Sequence, residues 1–212
     1  MTIEFLILYA VFSFFYIISP GPAIFLAISN GMTTNMKTVA LSSLGNVLGL
    51  LLLSLISILG LGTIITTSAT LFMIVKIVGA LYLVYLGVRQ FRNSKKIVFA
   101  QAEKNENSHR KSSSFFHEAF LVAATNPKAI LFFTAIFPQF LNPKAAMLPQ
   151  YALLTAIFMF LSFASLFSYG LLSKSMRRLF FNEKRMAWFH RITGGIFIGM
   201  GVGLLQLKLA QN

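Results

Sequence analysis

Two short stretches hold the residues best able to do chemistry. Ser19-Pro20-Gly21-Pro22 and Thr125-Asn126-Pro127-Lys128 each set proline inside an apolar run, beside small or polar side chains. Proline has no N–H and its ring pushes against the carbonyl four residues back, so a helix carrying it unwinds or bends. The carbonyls freed in this way are costly in hydrocarbon unless they face protein or a watery cavity. Half-helices that begin at Pro22 and Pro127 offer free N–H groups and the positive end of a helix dipole, a cradle for a carboxylate. With the Asn126 amide and the Lys128 ammonium as further donors, the two breaks suit a small molecule such as an α-amino acid. The expected binding set is Pro20, Gly21, Pro22, Asn126, Pro127 and Lys128, joined by Asn30, Asn46, Lys76 and Gln139 as polar groups along a path.

Other chemistry is excluded largely by inventory. The chain has 18 basic residues against five carboxylates, Glu4, Glu103, Glu106, Glu118 and Glu183, for a net charge of +13. Paired carboxylates, carboxylate cages for metals and acid-centred triads need acids that the apolar segments do not contain. Without cysteine there is no thiolate metal site or dithiol couple, and His109, His117 and His190 lack ligand spacing. No catalytic residue, metal or cofactor is expected. Glu4 and Glu118 are the candidates for carrying a proton, since desolvation can tune a carboxyl toward neutral pH.

The elements that must hold these residues are membrane helices. Of 212 residues 57% are hydrophobic and only 11% charged, against about 45–50% and about 25% in soluble domains. Apolar runs near 4–27, 39–66, 69–89, 115–137, 148–173 and 188–208 give six spans of adequate length. No basic segment precedes the first run, so it is expected to stay in the mature protein. The connectors after spans one, three and five carry 13 basic residues, Lys37 and those from Arg89 to Lys111 and Lys174 to Arg185, while the opposite side has only Lys144 and Lys208. The positive-inside rule puts those connectors in the cytoplasm and both termini outside. This topology accounts for the basic run from Arg89 to Lys111 without invoking nucleic acid. Trp188, Tyr151 and Tyr169 read as interfacial anchors.

A repeat lies within the hydropathy. Lys76-Ile77-Val78-Gly79-Ala80-Leu81-Tyr82-Leu83 near the start of the third span is matched by Arg191-Ile192-Thr193-Gly194-Gly195-Ile196-Phe197-Ile198 near the start of the sixth, and each half opens with a proline-broken helix. Three spans per half is odd, so the second copy must be upside down, the inverted-repeat plan of secondary transporters. The expected fold is an all-α membrane protein of six transmembrane helices in two inverted three-helix repeats, 1–92 and 115–212, joined by a polar linker over 93–114. Gly45/Gly49 and Gly195/Gly199/Gly203 have the small-xxx-small spacing of close helix packing.

The chain resembles the LysE/RhtB type of bacterial amino-acid exporters. The resemblance rests on Ser19-Pro20-Gly21-Pro22 leading to Asn30-Gly31, on Gly45-x-x-x-Gly49, on Lys76-x-x-Gly79-Ala80-x-Tyr82-Leu83-x-x-Leu86-Gly87, and on Asn126-Pro127-Lys128-Ala129-x-x-Phe132-Phe133 through Phe137-Pro138-Gln139-Phe140. It implies a protein of the bacterial cytoplasmic membrane that exports amino acids or close derivatives by alternating access, driven by the proton gradient. Members often place a polar or acidic residue just after the position of Gly49, where this chain has Leu50-Leu51-Leu52-Leu53. A path without internal acid is a poor host for a cationic side chain, which favours neutral substrates. The expected partners are an amino acid and the lipid bilayer, with a homo-oligomer left open. The rival readings are a membrane enzyme acting on a lipid or prenyl phosphate and a non-transporting scaffold subunit.

Overall fold

Proline and small residues set the course of the chain. The computed structural model describes residues 2–67, 69–93, 111–142, 145–173 and 183–206, and every regular element among them is helical. In order these are α1 (Ile3–Ile18), α2 (Pro22–Thr33), α3 (Met36–Thr67), α4 (Ala69–Asn93), α5 (Ser112–Ala124), α6 (Pro127–Leu131), α7 (Met147–Leu171) and α8 (Glu183–Gln206). A π-helical turn, Phe132–Ile136, and a 3-10 turn, Phe137–Phe140, continue α6.

The two breaks fall where the prolines stand. α1 and α2 form one rod bent by 63° at Ser19–Gly21, and α5 and Pro127–Phe140 form another bent by 48° at Thr125–Asn126. Pro22 and Pro127 each occupy the first turn of the new segment, where a missing N–H breaks no helical bond. Asn126 caps the second segment, its side-chain oxygen accepting from the Lys128 N–H at 3.0 Å. Asn35 does the same for α3 through the Thr38 N–H, at 3.0 Å.

Two helices are each long and apolar enough to cross a membrane, Met36–Leu59 within α3 and the whole of α7, and the two bent rods qualify when each is taken as one span. α4 and α8 have 25 and 24 residues, about 36 Å of helix, but Lys76, Arg89, Arg92, Lys184, Arg185 and Arg191 lower their hydropathy. Among the described residues the protein is thus all-helical, with two to four candidate membrane spans by length and composition. Ile3, Leu59, Leu148 and Phe160 are each more than 70% exposed, as lipid-facing side chains must be. The first rod runs on to Thr33, beyond the expected end at 27. Residues 94–110 of the expected linker lie outside the described residues, whereas Ser112 to Ser114 are already the first turn of α5.

The centre is aromatic. Phe132 packs on Phe158 with ring centroids 4.4 Å apart and on Tyr16 at 4.8 Å, while Tyr9 meets Phe140 at 5.0 Å. Pro138 explains the irregular turns there: it cannot donate to Thr134, and the ladder loosens ahead of it. The Phe137 N–H reaches back to Phe132, and the Phe133 carbonyl left over accepts instead from the Ser57 hydroxyl.

Glycine decides which helices touch. A Cβ on Gly45 would stand 2.3 Å from the Phe116 carbonyl oxygen and one on Gly49 would stand 2.5 Å from that of Phe120, so α3 and α5 meet backbone to backbone as the spacing predicts. α2 and α7 meet at Gly31, where a Cβ would lie 2.0 Å from the Gly170 oxygen. The third glycine series corrects the sequence reading: Cβ atoms on Gly195, Gly199 and Gly203 would meet nothing within 4 Å. α8 approaches α4 through Gly194 and Gly201 instead, against the carbonyls of Gly87 and Ala80. Spacing shows which side chains are small but not which face of the helix has a neighbour.

Substitutions at the two kinds of glycine should behave oppositely. Gly31→Ala forces backbones apart and should cost about 1–3 kcal/mol, read as a lower unfolding temperature in detergent. Gly199→Ala should be neutral or stabilising by up to about 1 kcal/mol through helix propensity. Equal effects at the two positions would contradict the packing described.

Candidate functional site

Removing an N–H from residue i strands the carbonyl of residue i−4, so Pro20 strands Tyr16 and Pro22 strands Ile18. Both carbonyls have found donors from distant parts of the chain. The Lys128 ammonium donates to the Tyr16 oxygen and, at 3.1 Å, to that of Ser19. The Tyr169 hydroxyl on α7 donates to the Ile18 oxygen at 3.1 Å. Tyr16 returns the favour, its hydroxyl donating to the Lys128 carbonyl, and its ring lies 4.7 Å from the ammonium. The Phe197 ring of α8 stands 5.7 Å from the same ammonium. The two broken rods are thus clasped to each other at their breaks. The carbonyl stranded by Pro127, that of Ala123, is served locally by the Asn126 N–H at 3.2 Å.

Two cavities open against this clasp. The narrower, of about 50 Å³, is lined by residues including Tyr16, Gly21, Ala23, Asn46, Asn126, Lys128 and Ser162. The wider, of about 300 Å³, is lined by Pro20, Pro22, Tyr82, Arg89, Gln90, Pro127, His190 and Phe197 among others. Ser19, Gly21, Asn126 and Lys128 border both. Two cations, Lys128 and Arg89, face the wider cavity, and no carboxylate lines either cavity among the described residues.

A second hydrogen-bonded line enters from the side. The Gln90 amide donates to the Ser19 hydroxyl at 2.9 Å, and its oxygen faces Nδ1 of His190. His190 is only 6% exposed. Across the narrower cavity the Asn46 amide donates to the Ser162 hydroxyl at 3.2 Å, joining α3 to α7.

Of the residues expected from the sequence, Pro20, Gly21, Pro22, Asn126, Pro127, Lys128 and Asn46 come together around the cavities. Asn30 does not line them; it is buried near the far end of α2 and donates to Ser42 at 2.9 Å. Lys76 is buried on α4 away from both cavities, and the Gln139 amide turns back to the Ala135 carbonyl at 3.4 Å. Glu4 is exposed at the start of α1 and Glu118 is half-buried on α5, and neither reaches a cavity. Four residues outside the expected set complete the site: Tyr16, Tyr169, Gln90 and His190. Tyr169 stands at a helix end like an interfacial anchor, yet its hydroxyl is spent on the broken helix. Tyr151 likewise is buried and shares a hydrogen with Ser54 at 2.8 Å. Only the missing proline N–H groups signal such partners in sequence, by naming the carbonyls that need a donor.

The site offers a cation, amide and hydroxyl donors and a bent backbone, and no carboxylate lines the cavities among the described residues. Residues 14–208 match the LysE type translocator family. A protein of Vibrio cholerae serotype O1 described as an uncharacterized membrane protein is 29% identical over 192 residues, covering 90% of this chain and 91% of its own. Homoserine/homoserine lactone efflux proteins of Salmonella typhi and of Salmonella typhimurium are each 28% identical over 210 residues, covering 99% of this chain and 100% of theirs. No solved structure matches. With a match from residue 14 to residue 208, the chain belongs to the LysE type translocators, a family of transporters rather than enzymes.

Proposed function

We propose that the protein exports neutral amino acids, of the homoserine and threonine class, from the cytoplasm across the bacterial inner membrane by alternating access. The observation that carries this reading is the charge inventory of the cavities at the double break: Lys128 and Arg89 with no carboxylate beside them among the described residues. An amino acid's carboxylate finds a partner there. The second ammonium of lysine or the guanidinium of arginine would add a positive charge with no counter-ion, which low dielectric punishes. Substrate carboxylate takes the Lys128 ammonium from the Tyr16 and Ser19 carbonyls, with the N–H groups at the start of α2 adding to the cradle. Gly21 and Pro22 shape that end, and Asn46 and Asn126 supply neutral donors.

The six-span inverted repeat is part of the same proposal. The two bent rods, α3 and α7 supply four spans, and α4 paired with α8 supplies the remaining two. Exchange of the halves carries the α4–α8 and α3–α7 pairings onto themselves and the packing of α3 on α5 onto that of α7 on α1, and all of these pairings occur. With the basic ends of α4 and α8 in the cytoplasm, the wider cavity is the cytoplasmic approach and both termini lie outside. Rocking of one half against the other must break and remake the clasp, because it ties the first half to the second.

Cells loaded with dipeptides test this reading directly. With the protein present, homoserine or threonine should appear outside faster than in its absence, and lysine and arginine should not. Lys128→Met should lower that efflux at least about tenfold, the scale of one charge-assisted hydrogen bond, while the protein still reaches the membrane at parental amounts. Tyr169→Phe strands the Ile18 carbonyl and should cost about 1–3 kcal/mol of thermal stability. Lysine-selective efflux, or parental rates in Lys128→Met, would refute the assignment.

A further inference from the structure

The polar line that reaches the clasp from α8 has no part in holding the helices broken. Gln90 and His190 lie 100 residues apart in the chain, and the line runs from His190 through the Gln90 amide to the Ser19 hydroxyl, with the Ser19 carbonyl then accepting from Lys128. Ser19, Gln90, Lys128 and His190 all border the 300 Å³ cavity. The amide orientation fixes the imidazole. Because Gln90 Nε2 donates to Ser19, the oxygen is what remains for His190, so Nδ1 of the ring must carry hydrogen. Nε2 then keeps its lone pair, and it can take a proton without disturbing the line.

We propose, on the footing of the export reading above, that His190 is the residue at which proton and substrate compete: its free ring nitrogen holds either an incoming proton or the ammonium of the outgoing amino acid. The groups around it set this exclusivity. Arg89 and Tyr82 of α4 and Lys128 of α6 line the same cavity, Tyr16 of α1 stands behind Lys128, and Arg191 follows on α8 itself; Arg89 and Arg191 are both exposed. With Lys128 and Arg89 already there and no carboxylate lining the cavity among the described residues, one more positive charge is accommodated and two repel. In the outward-bound state Lys128 holds the substrate carboxylate and neutral His190 accepts from the substrate ammonium. After release outside, Nε2 takes a proton from that side and becomes imidazolium. On return it gives the proton to the cytoplasm as the next ammonium arrives. One zwitterion leaves and one proton enters, so each cycle moves one positive charge inward, the direction in which a respiring membrane supplies work. Glu4 and Glu118 stand away from both cavities and have no share in this cycle.

The full-length protein in liposomes distinguishes the possibilities, with radiolabelled threonine and homoserine as probes. Two readings are taken, exchange at equal pH on both sides and accumulation driven by a pH gradient. The wild type should do both, and its KM should rise about tenfold per pH unit once His190 is mostly protonated, with the maximal rate unchanged. In His190→Gln, gradient-driven accumulation should vanish and KM for exchange at equal pH should rise about tenfold. Accumulation retained in His190→Gln overturns the assignment, as does loss of exchange in variant protein that remains folded. Should His190→Gln not fold, Gln90→Leu leaves the imidazole but cuts it from Ser19: accumulation should fall at least tenfold with the pH dependence of KM kept, and undiminished accumulation overturns the proposal. A wild type that exchanges substrate but ignores the gradient removes the proton role and leaves export standing. A wild type that exchanges neither probe removes both.

Discussion

A backbone carbonyl without a helical donor is the constraint on which this structure turns. Pro20 and Pro22 create two of them, on Tyr16 and Ile18, and hydrocarbon offers neither a donor. The chain meets the demand from 151 residues away with the Tyr169 hydroxyl and from 112 residues away with Lys128. These donors belong to the second half of the protein, so the bend in the first half is stable only while the halves are together. The same clasp thereby sets the bend, joins the halves and plants a cation at the centre. A fixed ion pair would have held the halves more firmly, but Lys128 bonds to neutral carbonyls that a carboxylate can outbid.

The packing around the clasp is close at its glycines and aromatic at its centre. Backbone contacts at Gly45 and Gly49, Gly31 and Gly170, and Gly87 and Gly194 bring helix axes closer than side chains would allow. The aromatic cluster of Tyr9, Tyr16, Phe132, Phe140 and Phe158 fills the middle. Against it, the π-helical and 3-10 turns of Phe132–Phe140 form an irregular wall held by single side-chain bonds such as that of Ser57 to Phe133. Irregular turns of this kind are where a helix changes register at low cost.

Much of this was legible in the sequence because it depends on local chemistry. Proline position places the breaks, and apolar run length places most of the helices. What the sequence withheld depends on neighbours 100 residues away or more. Tyr169 has the position of an interfacial anchor, and His190 has no partner at ligand spacing; only the fold brings one to Ile18 and the other to Gln90. The glycines teach the same lesson from the other side. Gly45/Gly49 and Gly195/Gly199/Gly203 share one spacing, yet only the first pair faces a helix, because periodicity fixes which residues share a face and leaves open what that face meets.

Under the proposed export of neutral amino acids, substrate selectivity would follow from what the clasp already contains. Lys128 stands at the break bonded to carbonyls with partial charge only, so an arriving carboxylate would exchange a weaker bond for a stronger one, while the Tyr16 and Ser19 carbonyls would turn to water in the cavities beside them. A cationic side chain enjoys no such exchange, since every acceptor at the break is either occupied or neutral. On that reading the discrimination is built from the absence of acids lining the cavities among the described residues as much as from the presence of Lys128, so replacing Leu50 by an acid would alter what the cavity accepts more deeply than altering any single donor. Leu50 borders the narrower cavity beside Asn46, and a carboxylate there would offer a side-chain ammonium the counter-charge that the existing wall denies it.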